Sequence, residues 1–181
     1  MKNEFERILI SKEEIEEICA KLGKQISQDY EGKELVVVGM LKGGAPFMMD
    51  LIKNITIPLT IDFMQISSFH GGVTATNLVF KKDIETNVHN KHVIIVDDIV
   101  DSARTMAEVL RLFETRKVAS IEVACLLDKP SGRKVELTPK YAGALVPDAF
   151  VVGYGLDYKE YYRNLPYVAI LSEEVYKNEK N

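Results

Sequence analysis

Two continuous apolar runs constrain the fold of this chain more than any other feature of its sequence. Residues 35–41 read LVVVGML and residues 92–96 read HVIIV. Such β-rich runs, without alternating polar residues, are typical of strands that are covered by helices on both faces, as in a parallel sheet. Helical spacing recurs around these runs, first after Ser11 at Ile15, Ile18, Cys19, Leu22 and Ile26. The alternation predicts an α/β fold with a largely parallel central sheet flanked by helices.

Local signals place the other elements. Residues 11–14 predict a capping box at the start of the first helix, and residues 105–108 predict a second one. We expect further strands at 120–127 and 149–153, and two strands between residues 57 and 80 that are joined by a flexible polar segment, 67–76. Because ligands of parallel sheets bind beyond the carboxyl ends of the strands, residues that follow the strands should meet at one edge.

Length and charge limit the class of protein and its partners. The 181 residues suit one domain, 1–181. Lys and Arg number 23 against 27 Asp and Glu, a net charge of −4, which argues against nucleic acid or an anionic membrane as a partner. No apolar run approaches the ~18 residues of a membrane span, and Cys19 and Cys125 form no CxxC pair. We therefore expect a soluble protein of the reducing cytoplasm.

The densest polar cluster follows the apolar run at 92–96. It reads DDIVDSART and places three carboxylates and two hydroxyls between a predicted strand and a predicted helix. Backbone N–H groups at a helix N-terminus bind phosphate, and Ser102 and Thr105 can add hydroxyl donors. The adjacent Asp97 and Asp98 would repel a phosphate unless they bound the hydroxyls of its sugar or Mg²⁺. Each Asp alone is explained equally well as a helix cap or part of an acidic loop, but the whole string favours a site for a sugar phosphate.

Residues 93–105, VIIVDDIVDSART, resemble the signature of the phosphoribosyltransferases. The resemblance extends along nearly the whole chain to the 6-oxopurine branch, the hypoxanthine-guanine phosphoribosyltransferases. It implies the type I fold, in which a Rossmann-like sheet carries a small hood and a flexible β-loop. It also implies purine salvage, in which the 5-phosphoribosyl group of phosphoribosyl pyrophosphate (PRPP) passes to hypoxanthine or guanine, giving IMP or GMP and pyrophosphate, with Mg²⁺. Members usually form homodimers or homotetramers.

The resemblance gives the acidic string specific roles. Asp97 and Asp98 would hold the ribose hydroxyls and Mg²⁺. The 5′-phosphate would be held by Asp101, Ser102, Ala103, Arg104 and Thr105. Asp101 would be the general base at purine N7, because it is the acid nearest to where base and sugar meet. Ala103 stands where the family most often has Gly, so we expect the loop to form if this position needs no positive φ.

Two further segments resemble the parts of the family that bind pyrophosphate. Leu41, Lys42, Gly43 and Gly44 match a loop in which the Leu–Lys peptide is typically cis and the backbone amides face the leaving group. Arg163 matches an arginine that reaches the pyrophosphate. Ser68 and Phe69 fall in the flexible loop that closes over the reaction. The family commonly has Ser-Tyr there, so this chain keeps an aromatic lid and loses one hydroxyl.

The remaining matches concern the base. Lys129 matches the lysine that donates to purine O6 and thereby selects 6-oxo over 6-amino bases. Phe150 would stack on the purine, the backbone of Val151 would meet the base edge, and Asp157 would hold a second Mg²⁺. Taken singly, Lys129 is more simply a solvated loop lysine and Phe150 a core residue. Their occurrence beside the acidic string favours the family.

Three alternatives remain at this point. A xanthine or pyrimidine phosphoribosyltransferase would share the fold, and xanthine differs only at position 2 of the base. A regulatory protein that binds PRPP and nucleic acid would be expected to carry a basic face, against which the net charge of −4 and the presence of Asp101 argue. A phosphoacceptor receiver domain also gathers aspartates at strand ends, but it leaves Lys129, Asp157 and residues 41–44 without roles.

Overall fold

The computed structural model describes residues 4–69 and 77–177. Within these ranges lie four helices, one 3₁₀ turn and nine strands. The helices are α1 (Lys12–Asp29), α2 (Ala45–Ile52), α3 (Arg104–Thr115) and α4 (Glu173–Lys177), and the 3₁₀ turn spans Pro130–Gly132. The strands are β1 (Phe5–Ile10), β2 (Leu35–Met40), β3 (Leu59–Phe69), β4 (Asn77–Lys82), β5 (His92–Val100), β6 (Ser120–Asp128), β7 (Tyr141–Leu145), β8 (Val151–Val152) and β9 (Val168–Leu171).

Six strands form the central sheet in the order β4-β3-β2-β5-β6-β7. All neighbours pair in parallel except β3 and β4, which form an antiparallel pair. Along the chain, β2 is followed by β3 on one side, whereas β5 lies on the other side of β2. The order therefore reverses between β2 and β5, and the crevice at such a reversal is where α/β sheets bind ligands.

Both faces of the sheet are buried, as the continuous apolar runs predict. Val37 and Ile94 belong to one core cluster, which α1 and α2 cover. Val38 and Ile95 point to the other side and pack in a second cluster with residues of α3. Because successive residues of a strand face opposite sides, a strand covered on both sides is apolar throughout.

A second, three-stranded sheet forms the hood, with the order β1-β9-β8 and antiparallel pairing. The sequence predicts a strand at residues 149–153, but the observed strand is only Val151–Val152 and belongs to the hood. The mixed α/β architecture with a mostly parallel sheet confirms the predicted fold class. No helix of residues 4–69 and 77–177 has the length and apolarity to span a membrane.

The two predicted capping boxes have opposite outcomes. At α1, Glu14 N donates to Ser11 Oγ at 3.2 Å and Ser11 N donates to Glu14 Oε2 at 2.7 Å, so the first box is confirmed. The second is wrong because α3 begins at Arg104, so Thr105 already lies inside the helix. Ala103 is the residue before this helix, with φ +63°.

Candidate active site

The carboxyl ends of β2, β5 and β6 meet at one edge of the central sheet, and most of the predicted site residues lie there. Residues 41–44 follow β2, residues 101–105 follow β5, and Lys129 follows β6. The strand β5 runs to Val100, four residues further than the apolar run predicts, because it stays paired with β6 as far as Asp128. Asp97 and Asp98 consequently lie within the strand instead of in the loop after it.

The predicted pyrophosphate loop turns tightly between β2 and α2. The Leu41–Lys42 peptide bond is cis, as the resemblance implies. Gly44 N donates to the carbonyl of Met40 at 2.9 Å. A Cβ placed on Gly43 would lie 1.9 Å from Asp98 Oδ2, so the absence of a side chain at 43 lets the loop approach the acidic strand.

The loop that carries Asp157 packs on this pyrophosphate loop from the hood side. Gly155 has φ +99°, and a Cβ there would lie 2.0 Å from the carbonyl oxygen of Gly43. Gly155 N donates to the carbonyl of Arg163 at 3.0 Å, and Arg163 Nη1 returns a bond to the carbonyl of Gly155 at 2.6 Å. The segment 155–163 and the pyrophosphate loop, which are far apart in sequence, are thus in direct contact.

The Asp97 and Asp98 carboxylates repel each other within a poorly hydrated part of this edge. Burial, together with the charge of Asp98, raises the pKa of Asp97 well above its usual range. Burial also raises the pKa of Asp98, although a side-chain hydrogen bond with Asp97, the N–H of Ile99 and the charge of Arg163 act in the opposite direction. Ile99 N donates to Asp98 Oδ1 at 2.7 Å. A divalent cation would relieve this repulsion.

The donors at this edge suit Mg²⁺. In the described part of the chain no group of three or more His, Cys, Asp or Glu side chains is arranged to hold a metal alone. Mg²⁺ is usually bound by one or two carboxylates together with phosphates of the substrate, so the Asp97–Asp98 pair fits it without a complete protein cage. Asp157, for which the resemblance implies a second Mg²⁺, instead forms an ion pair in this structure: its Oδ1 lies 2.8 Å from Arg163 Nη2.

The predicted phosphate loop lies between β5 and the N-terminus of α3. A cleft of about 250 Å³ is lined here by Leu41, Asp97, Asp101, Ser102, Ala103 and Thr105. Ser102 Oγ accepts a bond from Arg104 N at 3.4 Å. The condition that the sequence analysis attached to position 103, no positive φ, is not met, since Ala103 adopts φ +63°. The loop forms nevertheless, with alanine in the conformation that favours glycine.

Lys129 reaches across this edge to the predicted general base. Its Nζ lies 3.7 Å from Asp101 Oδ2 and 3.1 Å from Asp148 Oδ1. The Lys129 side chain is largely buried, whereas that of Asp101 is about half exposed. A donor and an acceptor thus stand side by side at the rim of the cleft.

Arg133 is a residue of this site that the sequence did not indicate. Its Nη1 donates to the carbonyls of Val100 and Asp101 at 2.5 and 2.8 Å, and its Nε donates to the carbonyl of Leu137 at 2.9 Å. Its Nη2 pairs with the carboxylate of Asp128, and both side chains are largely buried. Arg133 therefore ties the end of β5 to the end of β6.

Phe150 directly precedes the hood strand β8, which begins at Val151. The Phe150 side chain is 41% exposed; its ring meets the Tyr158 ring edge-on with centroids 5.7 Å apart and lies tilted against the Tyr176 ring at 5.4 Å. A partly exposed aromatic ring can stack on a planar base. Val151 is buried in β8, in register with Ile170 of β9.

Four charged residues join the pyrophosphate loop to the segment after β8. Arg163 Nη2 contacts Asp157 Oδ1 at 2.8 Å and Glu160 Oε1 at 3.0 Å, and Lys42 Nζ contacts Glu160 Oε2 at 2.6 Å. Hydrogen bonds from Lys42 and Arg163 hold the pKa of Glu160 below its ordinary value. No motif in the sequence indicates a role for Glu160, which stands only three positions before Arg163.

The predicted lid is described only in part. Ser68 and Phe69 end β3 and pair with residues 78 and 77 of β4, and residues 70–76 lie outside the described residues. The base of this hairpin is fixed by Asp62, another residue that sequence reasoning missed. Asp62 Oδ2 accepts from the N–H groups of Glu85 and Thr86, each at 2.8 Å. The lid roles of Ser68 and Phe69 stay predictions.

Comparisons with known proteins agree with this geometry. Residues 9–159 match the family described as phosphoribosyl transferase domain. The chain is 50% identical over 179 residues to a hypoxanthine-guanine phosphoribosyltransferase of Staphylococcus aureus strain Mu50, which covers 98% of this chain and 100% of that one. It is 45% identical to the protein of that name from Streptococcus pneumoniae strain R6, with 98% and 99% covered.

Solved structures show the same relationship. A hypoxanthine phosphoribosyltransferase from Staphylococcus aureus superposes with a TM-score of 0.92 at 49% identity, covering 96% of this chain and 95% of that one. A hypoxanthine-guanine phosphoribosyltransferase from Bacillus anthracis gives a TM-score of 0.87 at 42% identity, with 93% and 99% covered. The chain therefore belongs to the phosphoribosyl transferase family, in its hypoxanthine-guanine branch.

Proposed function

We propose that this protein is a purine-salvage enzyme that transfers the 5-phosphoribosyl group from PRPP to hypoxanthine or guanine, forming IMP or GMP and pyrophosphate. The observation that carries this proposal is the pair Asp101 and Lys129, an acceptor and a donor 3.7 Å apart. N7 and O6 of a 6-oxopurine lie side by side on one edge of the base. Asp101 can take the proton of N7 while Lys129 donates to O6.

The same pair supports selection of the base. A 6-amino purine would direct its own N–H groups at the Lys129 ammonium, so that two donors would face each other without an acceptor. Phe150, with its 41% exposed side chain, is the residue that stacks on the purine, and the backbone of Val151 meets the base edge. Both identified relatives from Staphylococcus aureus and Streptococcus pneumoniae are named for hypoxanthine and guanine, which supports the same choice.

The sugar phosphate binds in the cleft of about 250 Å³ between β5 and α3. The N–H groups at the start of α3 and the hydroxyls of Ser102 and Thr105 hold the 5′-phosphate. Asp97 and Asp98 hold the ribose hydroxyls, which fixes the sugar for in-line attack by the base. Asp101 lies beside both ligands and acts as the general base.

Pyrophosphate departs on the side of Leu41, Lys42, Gly43 and Gly44. The backbone amides of this loop and the guanidinium of Arg163 stabilise the charge that develops on the leaving group. Asp97 and Asp98, with Asp157 at the hood, are the residues that would hold Mg²⁺, which neutralises pyrophosphate charge when bound. Closure of the segment that includes Ser68 and Phe69 excludes water and suppresses hydrolysis of PRPP.

A panel of bases tests the reaction. With PRPP and Mg²⁺, the purified protein should consume hypoxanthine or guanine and release pyrophosphate. Turnover of uracil or orotate with neither purine used would contradict the proposal and favour a pyrimidine enzyme. Preference for xanthine would redirect the base assignment, and PRPP binding without turnover of any base would favour a regulatory protein.

A pair of variants tests the role of Lys129. We expect Lys129→Gln to raise KM for hypoxanthine and leave KM for PRPP close to that of the wild type, because the base is the substrate that this lysine is proposed to contact. Lys134→Gln is the matched control, since it removes the same charge from an exposed position in the same segment. Equal KM values for hypoxanthine in the two variants would contradict this role.

We further propose that the protein acts in the cytoplasm as a homodimer or homotetramer. Both cysteines are free and buried, which suits a reducing compartment. Native mass spectrometry at micromolar concentration would give the number of subunits, and a monomer would contradict the proposed assembly.

A further inference from the structure

Glu160 lies between two cations at the proposed pyrophosphate site, Lys42 of the pyrophosphate loop and Arg163. One oxygen of its carboxylate, Oε2, is 2.6 Å from Lys42 Nζ, and the other, Oε1, is 3.0 Å from Arg163 Nη2. Each oxygen therefore neutralises one cation. A negatively charged group of the protein occupies the position in which the proposed function requires a negatively charged group of the substrate.

We propose that Glu160 is an internal competitor for the pyrophosphate group. In this view PRPP and free pyrophosphate bind by displacing the Glu160 carboxylate from Lys42 and Arg163, and the carboxylate returns as pyrophosphate leaves. This inference rests on the proposed function, and it adds a residue that weakens binding of the leaving group to those that strengthen it. An enzyme whose product is a multiply charged anion gains from such a competitor, because product release is assisted.

The contacts of Glu160 are not what holds the two segments together. The backbone of Gly155 packs directly on the carbonyl of Gly43. Arg163 keeps two other partners, Asp157 Oδ1 at 2.8 Å and the carbonyl of Gly155 at 2.6 Å. Loss of the Glu160 carboxylate therefore leaves the loop and the arginine in place, and it changes the charge that a phosphate meets.

Displacement of the carboxylate is also energetically accessible. The Glu160 and Lys42 side chains are 61% and 58% exposed, and ion pairs between solvated side chains are weak. Pyrophosphate carries several charges and forms charge-assisted bonds to both cations at once. The substrate group is therefore the stronger partner.

The present position of Arg163 leaves one of its donors unused. Among the described residues, its Nε is buried and has no hydrogen-bond partner. Glu160 and Tyr162 have φ of +71° and +75°, a backbone region that L residues rarely adopt. Neither feature stabilises the present position of this segment, so neither opposes the displacement.

Calorimetry with inorganic pyrophosphate and Mg²⁺ tests the inference directly, without turnover. We expect Glu160→Gln to lower Kd for pyrophosphate about two- to fivefold, the range set by the loss of exposed ion-pair contacts. KM for PRPP should also fall, and KM for hypoxanthine should not change. The matched control is Glu16→Gln, which removes an equally exposed glutamate that pairs with Lys12 at 3.7 Å on α1.

The opposite result is equally informative. If Glu160 instead positions Lys42 and Arg163, the Glu160→Gln variant will bind pyrophosphate more weakly than wild type, and the inference is overturned. A Kd equal to that of Glu16→Gln overturns it as well. Glu160→Ala, which removes the whole carboxylate group, should shift Kd in the same direction as the Gln variant, and thermal unfolding of both variants checks that they fold. A wild-type protein that neither binds pyrophosphate nor uses a purine would refute the proposed function itself, which separates the two failures.

Discussion

Replacement of Arg133 by methionine should damage both stability and catalysis, because the guanidinium joins the ends of two strands at the site. The side chain donates to three carbonyl oxygens, those of Val100, Asp101 and Leu137, and pairs with the buried Asp128 carboxylate. Methionine fills a similar volume and supplies none of these donors. Asp128 is left buried without its cation, and the carbonyl groups lose their partners.

The expected cost follows from these contacts. Removing one member of a buried ion pair costs about 3–5 kcal/mol, since the remaining charge is uncompensated. We expect the free energy of unfolding of Arg133→Met to fall by about that amount in urea titrations. Because Val100 ends β5 and Asp101 begins the phosphate loop, kcat/KM for PRPP should fall about tenfold, which corresponds to about 1.4 kcal/mol of transition-state stabilisation.

Two comparisons make this prediction specific. Arg111 forms an exposed pair with Glu108 on α3, so Arg111→Met should cost less than about 0.5 kcal/mol. The double variant Arg133→Met with Asp128→Asn should recover part of the lost stability, because no buried charge remains unpaired. A single variant of Arg133 within about 1 kcal/mol of wild type, or no recovery in the double variant, would refute the reasoning.

Three further predictions concern single side chains. Asp101→Asn should lower kcat about 100-fold or more while Kd for PRPP in calorimetry stays close to wild type, because the amide keeps the shape and cannot accept the N7 proton. Asp62→Asn should lose about 2 kcal/mol of stability near neutral pH. Burial alone would raise the pKa of Asp62, but hydrogen bonds from Thr86, Phe63 and Glu85 lower it from 3.8 to about 2. A pKa difference of one unit corresponds to about 1.4 kcal/mol. Because the folded pKa is the lower one, this stabilisation is present above about pH 4 and disappears as the pH falls through about 2, so urea titrations of variant and wild type should converge in acid. Ala103→Gly should raise stability by about 0.5–1 kcal/mol, since φ +63° is costly for alanine and not for glycine.

Each of these has a clear contrary result. A collapse of PRPP affinity in Asp101→Asn, with kcat retained, would show that Asp101 binds PRPP and is not the base. A constant stability difference between Asp62→Asn and wild type from neutral to acid pH would show that its carboxylate is not the source. Destabilisation by Ala103→Gly would mean that contacts of the Ala103 methyl outweigh the backbone term.

The strands were predictable because burial on both faces leaves a continuous apolar run, as at residues 35–41 and 92–96. The start of α3 was not predictable in the same way. Thr105 and Glu108 have the spacing of a capping box, but the turn is made by Ala103 in a left-handed conformation, which its residue type does not signal. The length of β8 also depends on tertiary pairing, here with β9 in the hood.

The site, like the fold, could be predicted only in part from the sequence. The acidic string and residues 41–44 could be found because the order of their residue types resembles that of a known family. Arg133 could not, since three of its four partners are carbonyl groups, which every residue carries, and two of these, at Val100 and Asp101, are 33 and 32 positions away. Glu160 was missed because a glutamate before an arginine on an exposed segment suggests only a surface ion pair.

The contact between the hood and the pyrophosphate loop connects the chain's first strand to the site. β1 forms the outer strand of the hood, and the ring of Phe5 packs edge-on against Tyr162 with centroids 5.5 Å apart. Contacts therefore run from β1 through the segment of Arg163 to Gly155 and onward to Gly43. We accordingly expect the placement of the leaving-group side of the site to depend on how β1 packs in the hood, although β1 lies far from that site in sequence.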